Sequence, residues 1–305
     1  MSQVTMPVTK AIITAAGFGT RFLPATKNIP KELLPIIDKP GIHYLVDELV
    51  ESGITDIIIV TRFGNSALED YFDTSPSVEQ QLESAGKLEE LERLKNIYKL
   101  ANIVYVRQRR DYPYGNGTPL LSAGPLIDDN EPFLYLFGDD LVQSEVPASK
   151  QLVDFYQKNK GVILGVQEVS RKEVSRYGIC KLKSGSTPAL PAGRRRVESV
   201  IEKPSLSEVE PPYLAQFGRF VLNKEIYNII LRKYEQGKLG KGGELWLTDA
   251  ILEYAKNSPV YAVQVEGEWM TTGDPLRFLQ TTIKFALQRE DIAPDLIAFL
   301  KNLTF

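Results

Sequence analysis

Cysteine and histidine are almost missing: Cys180 and His43 are the single examples in 305 residues. One cysteine closes no internal disulfide, and the two together cannot build a zinc site from the usual sulfur and nitrogen ligands. Any metal must therefore be held by oxygen, and Cys180 reads most simply as a small buried residue. No charge of one sign dominates either. With 36 basic against 39 acidic residues and a net charge of -3, nothing offers nucleic acid an electrostatic footprint, and Arg194-Arg195-Arg196 reads as a solvated loop. Long apolar runs are absent too, at the N-terminus and elsewhere, so no membrane partner is expected and the default location is cytoplasmic. There is no internal repeat and no low-complexity segment.

What is present is the composition of a globular protein, 43% hydrophobic and 25% charged. Short runs rich in β-branched residues recur as KAIITAA, DIIIVT, NIVYVRQ, PFLYLFG and GVILGVQ, which reads as a series of buried strands. Between the first two, PGIHYLVDELVESG places Ile42, Leu45, Val46 and Leu49 on one helical face, with Pro40 at the start and Gly53 at the end. His43 lies off that stripe, which suits a surface or supporting role better than catalysis. A charged helix is expected from Ser77 to Leu100, with Leu88, Leu91, Leu94 and Tyr98 packing on the body or on another subunit.

Alternation of strand and helix through about residue 170 predicts an α/β fold. We expect a Rossmann-like mixed, mostly parallel sheet flanked by helices, with ligands beyond the carboxyl ends of the strands. Past Ser170 shorter strands and then helices are expected. The chain is read as one domain over residues 1–305, with an alternating strand-and-helix half at 1–170, a small β-rich portion at 171–270 and a C-terminal helical element at 271–305.

The segment AAGFGTRFLPATKNIPKELLP follows the first strand. A dinucleotide loop needs a small residue where this chain has Phe22, followed at once by a helix, and Pro24, Pro30 and Pro35 forbid that helix. A P-loop would need Gly-Lys-Ser/Thr, which is missing. What remains is a glycine turn whose backbone N–H groups can meet an anion, with Arg21 and Lys31 as mobile cations. The GDD at 138–140 follows PFLYLF and falls on the same rim.

GFGTRFLPATKNIPKELLPIIDKP resembles the signature of the sugar nucleotidyltransferases, and its T-R-x-L-P-A-T-K-x-x-P-K-E form resembles the bacterial UTP:glucose-1-phosphate uridylyltransferases. VRQ, YGNG, GDD, RYGI, VIEKP and GELWLTDAI continue the likeness from about Lys10 to about Arg289. The resemblance implies transfer of UMP from UTP to glucose 1-phosphate with loss of pyrophosphate, by magnesium-assisted in-line displacement, a chemistry of positioning and charge neutralisation. By the same resemblance Ala16, Gly17, Gly19 and Thr20 hold the nucleotide. Arg21 and Lys31 neutralise the phosphates, Asp139 binds magnesium, and Gln108 reads uracil while Gly115 and Gly117 admit the base. On the sugar side it implies Tyr177 and Gly178 as backbone contacts, Glu202 on the hydroxyls and Lys203 on the sugar phosphate. Glu244 and Asp249 are expected to order the sugar-side wall, and Asp140 either assists through water or caps the next turn.

Three departures stand out. The family's late metal-binding aspartate is replaced in EWMTTGDPL by Thr271, a neutral and poor magnesium ligand. Either Asp139 suffices with phosphate and water, or Asp274 reaches back, or nucleotide binds with weak turnover. RRDYPY replaces a shorter link before the glycines, and Pro275 stands where a lysine is usual. The alternatives are therefore a thymidylyltransferase on the same sugar phosphate and a nucleotide-sugar-binding homologue. A homo-oligomer, dimer or tetramer, is expected.

Overall fold

A computed structural model describes residues 6–183 and 195–303. Among them, nine strands form the main sheet: β1 (Lys10–Thr14), β2 (Asp56–Thr61), β3 (Asn102–Arg107), β4 (Phe133–Phe137), β5 (Val162–Glu168), β6 (Gly178–Leu182), β7 (Arg195–Glu202), β8 (Leu214–Leu222) and β9 (Val260–Gln264). Their order is β3-β2-β1-β4-β8-β5-β9-β7-β6, with β6 pairing β8 as well. The first four strands are parallel. The mixed character enters at β8, which runs antiparallel to β4, β5 and β6.

Each early strand is an apolar run because both of its faces are covered. Ile12, Ile58, Phe133 and Tyr135 join one core, shared with the helices Lys224–Glu235 and Leu247–Tyr254. Ala11, Ile13, Ile57, Leu134 and Leu136 point the other way, into a core shared with Gly41–Glu51 and Ala148–Lys158. The helical stripe Ile42, Leu45, Val46 and Leu49 is 0% exposed throughout, each side chain contributing roughly 1.5–3 kcal/mol by burial. His43 sits beside it, its Nδ1 2.7 Å from the Tyr71 hydroxyl and its Nε2 3.3 Å from Asp47.

Several expectations are corrected. The strands beyond Ser170 are not shorter, since β7 and β8 run to eight and nine residues. Arg194 lies outside the described residues, while Arg195 and Arg196 open β7 paired with Ala262 and Tyr261, so these two are strand, not loop. The helix expected from Ser77 breaks at Gly86, φ +69°, into Pro76–Ser84 and Leu88–Ile97, with Leu91 buried and Leu88 exposed. Among the described residues no helix is long and apolar enough to cross a membrane.

Candidate active site

The loop after β1 and the turn after β4 leave neighbouring strands of a parallel pair in the same direction, so they open onto one rim. A cavity of about 500 Å³ lies there. Ala16, Gly17, Gly19, Thr20, Arg21, Lys31, Gln108, Gly115, Asp139, Glu202 and Lys203 all line it, although they come from distant parts of the chain.

At its centre Lys31 Nζ donates to Asp139 Oδ2 at 2.5 Å. Burial alone would lower the lysine pKa, but the carboxylates of Asp139, Glu32 and Asp140 outweigh it and hold the ammonium firmly charged. Conversely, burial works to raise the Asp139 carboxyl, and the Lys31 charge and hydrogen bond hold it below its ordinary value. Arg21 Nη1 reaches the Gly273 carbonyl at 3.2 Å, tying the glycine loop to the segment after Thr271.

The backbone around Asp139 is fixed from several sides. Its carbonyl accepts from Thr272 N at 2.7 Å, Thr272 Oγ1 at 3.1 Å and Thr271 Oγ1 at 3.3 Å. Asp140 does not cap the next turn: Trp269 Nε1 and Gly218 N donate to its carboxylate at 2.9 and 3.0 Å. Burial and the adjacent Asp139 charge push its carboxyl up to about 6. Behind it the buried Arg219 guanidinium donates to the Asp140 carbonyl at 3.0 Å and to both oxygens of Glu48 at 2.8 and 2.6 Å.

Asp274 does not reach back to Asp139. Its carboxylate caps the helix Pro275–Ala286, accepting from Arg277 N at 3.1 Å, and stands 3.6 Å from Arg277 Nε. Among the described residues no three His, Cys, Asp or Glu side chains are grouped to hold a metal ion.

On the sugar side the placement differs from expectation. Tyr177 is outside the cleft: its ring packs edge-on against Trp269, its hydroxyl accepts from Arg277, and its carbonyl already accepts from Lys203 N at 3.0 Å. Gly178 is not a lining residue either. A β-carbon there would lie 2.5 Å from Gln216 Nε2 and 3.0 Å from Glu202 Oε2, so its smallness makes room for those side chains. Glu202 is pushed up by burial, against the pull of Lys203, and Lys203 itself holds a left-handed φ of 47°. Such a conformation costs a residue with a β-carbon about 1–2 kcal/mol, a strain typical of residues aimed by their surroundings.

On the base side Gly115 lines the cleft at φ +139°, but its missing side chain also serves a protein contact, because a β-carbon would lie 2.2 Å from the Leu245 carbonyl oxygen. Gly117 lies outside the lining and donates to the same carbonyl at 2.9 Å. Gln108 Oε1, Glu202 Oε2 and Glu32 Oε2 are buried with no hydrogen-bond partner among the described residues. Glu32, which burial pushes up to about 7 against the Lys31 charge, and Asn116 and Trp246 also line the cleft. These three were not singled out from the sequence. Each lies inside a quoted motif, Glu32 in P-K-E, Asn116 in YGNG and Trp246 in GELWLTDAI, and those motifs were the readable signal.

The Nucleotidyl transferase family model matches residues 10–287. The UTP--glucose-1-phosphate uridylyltransferase of Bacillus subtilis (strain 168) is 45% identical over 97% of this chain and 97% of its own. Among solved structures, a UTP-bound UGPase from Acinetobacter baumannii superposes with a TM-score of 0.87 at 28% identity, over 97% of this chain and 100% of that one. A UDP-glucose pyrophosphorylase complexed with UDP-glucose does so with a TM-score of 0.77 at 35% identity, over 92% and 100%. The chain is therefore an enzyme of the Nucleotidyl transferase family and belongs within it to the UTP--glucose-1-phosphate uridylyltransferases.

Proposed function

We propose that this chain transfers the UMP moiety of UTP to glucose 1-phosphate, releasing pyrophosphate. The observation that carries the reading is the convergence of Arg21, Lys31 and Asp139 on one cavity shared with Gln108, Glu202 and Lys203. A phosphate oxygen of the sugar attacks the α-phosphorus while the bond from that phosphorus to the oxygen bridging the α- and β-phosphates breaks, and that oxygen leaves with pyrophosphate. The attacking oxygen is already ionised, so no general base is required. Lys31 meets the negative charge at the α-phosphate, and Arg21, held at the Gly273 carbonyl, meets the departing pyrophosphate. The buried Gln108 Oε1 offers an acceptor to the uracil N–H. Glu202 accepts from sugar hydroxyls and Lys203 meets the sugar phosphate.

The Asp139 carboxylate at the cleft's centre suits magnesium as an ion that would arrive with its substrate: the carboxylate would hold it, and phosphates and water would supply its other ligands. Bound there, the cation would neutralise charge on the phosphates. The reading is tested by mixing UTP, glucose 1-phosphate, magnesium and the protein and following pyrophosphate. Release above background supports it, and none under broad conditions sinks it. Running dTTP in competition separates a thymidylyltransferase. Thr271 is the observation that favours a nucleotide-sugar-binding homologue, for which calorimetry would show UDP-glucose binding without turnover. Leu276, Leu279 and Phe299, exposed on the C-terminal helices, support assembly with a second copy.

A further inference from the structure

Trp246 enters the cleft from a segment pinned on both sides. Leu245 N donates to the Tyr114 carbonyl at 2.7 Å and Leu247 N to Asn116 Oδ1 at 2.8 Å. Leu245 and Leu247 are buried, so the half-buried indole between them is presented by a fixed backbone. Its only polar atom is already used, since Nε1 donates to Glu244 Oε2 at 2.9 Å. What the ring has left to offer is a face.

The surroundings are acidic. A β-carbon on Gly240 would lie 3.2 Å from Trp246 Cδ2 and 3.3 Å from Asp249 Oδ2, which puts that carboxylate beside the indole. Glu244 and Asp249 both act on Glu202, whose Oε2 is buried without a partner. Carboxylates only accept hydrogen bonds. They suit a hexose, with hydroxyl donors around its edge and C–H groups on its faces, better than a uracil edge carrying two carbonyl oxygens. An aromatic face with acceptors at its rim is complementary to a pyranose ring.

We propose that Trp246 is the platform on which the hexose of the sugar 1-phosphate stacks, with Glu202 and Glu244 accepting its hydroxyls. The inference rests on the sugar-phosphate reading above.

Trp246→Gln keeps a donor for Glu244 and removes the ring. The KM for glucose 1-phosphate is expected to rise roughly ten-fold while that for UTP stays unchanged, and Trp246→Phe is expected to restore most of the loss. Independently of turnover, the tryptophan emission of the unmodified protein is expected to change with UDP-glucose and not with UDP. That difference should vanish in Trp246→Phe, although Trp269, the other of the two tryptophans, remains. An equal response to UDP and UDP-glucose, or a rise in the KM for UTP instead, overturns the proposal because the ring would then serve the nucleotide. Unchanged kinetics in both variants overturns it too. If the unmodified protein releases no pyrophosphate, the reaction assignment fails, and the contrast between UDP-glucose and UDP still decides the role of Trp246.

Discussion

Lys31 and Asp139, 108 positions apart in sequence, form a 2.5 Å ion pair where the loop after β1 meets the turn after β4. With side chains 18% and 28% exposed, both remain reachable from the cleft. The pair holds each group in its charged form; on the proposed reading a triphosphate would meet a lysine that needs no proton, and a cation would meet a carboxylate that has none to lose.

Separating the pair tests the chemistry. Asp139→Asn and Lys31→Met are each expected to slow pyrophosphate release by at least about 100-fold, the scale seen when a single electrostatic group is removed from a phosphoryl or acyl transfer site. Thermal unfolding should change little. An active Lys31→Met protein would remove lysine from the reaction.

The position of Thr271 predicts a trade. Its hydroxyl lies 3.3 Å from the Asp139 carbonyl and 3.3 Å from Gly273 N. Thr271→Asp puts a second carboxylate near Asp139, so the free protein should unfold at a lower temperature through like-charge repulsion. Magnesium with UTP should restore it and half-activation should need less magnesium. Equal magnesium dependence in both proteins would show that one aspartate suffices.

Glu48 and Arg219 give a stability prediction with a pH sign. Arg219 is 0% and the Glu48 side chain 9% exposed. Arg219→Met leaves the Glu48 carboxylate with only Ser149 to bond, a change expected to cost about 3–5 kcal/mol in chemical denaturation. Burial raises the Glu48 carboxyl, but Arg219 and Ser149 more than reverse this and leave it below its ordinary value of 4.5. A folded-state pKa below the unfolded one means that the stabilisation is complete above the unfolded value and lost as pH falls through the folded one. Unfolding temperatures of the unmodified protein and of Glu48→Gln should therefore converge on acidification below about pH 4.

Gly115→Ala is expected to be far worse than Gly242→Ala. Both have positive φ, but a β-carbon at 115 lies 2.2 Å from a main-chain oxygen and one at 242 meets nothing within 4 Å. The second should cost about 1 kcal/mol, the first several times that, with a raised KM for UTP because Gly115 lines the cleft. Similar losses for the two would mean that the loop yields freely to Leu245.

Much of this was legible because it is local. Apolar runs mark the five early strands whatever they pair with, and Arg21, Lys31 and Asp139 follow two of them directly. What escaped depends on distant partners. Nothing near Gly178 or Gly117 in sequence reveals Gln216 or Leu245, and a glycine admitting a ligand looks the same as one admitting another strand. Asp140 looked free until Trp269 and Gly218 were brought to it. Arg219, an arginine within FGRFVL, is intelligible only with Glu48. Tyr177 was expected, by resemblance, to offer its backbone, and nothing near it in sequence shows that its carbonyl is taken by Lys203 N; the antiparallel insertion of β8 likewise leaves no trace in hydrophobic periodicity.

That strand has a mechanical consequence. β8 carries Gln216 to the Gly178 and Glu202 side and Arg219 to the carbonyl of Asp140, with its register to β5 shifting between Gln216 and Phe220. All nine of its residues are buried. On the proposed reading it acts as a ruler between the two sides of the cleft, three positions along one buried strand separating the residue that packs beside Glu202 from the one that holds the backbone next to Asp139. One residue inserted between Gln216 and Arg219 would lengthen the ruler by about 3.3 Å and turn one of the two side chains to the opposite face, leaving two intact half-sites measured to the wrong distance.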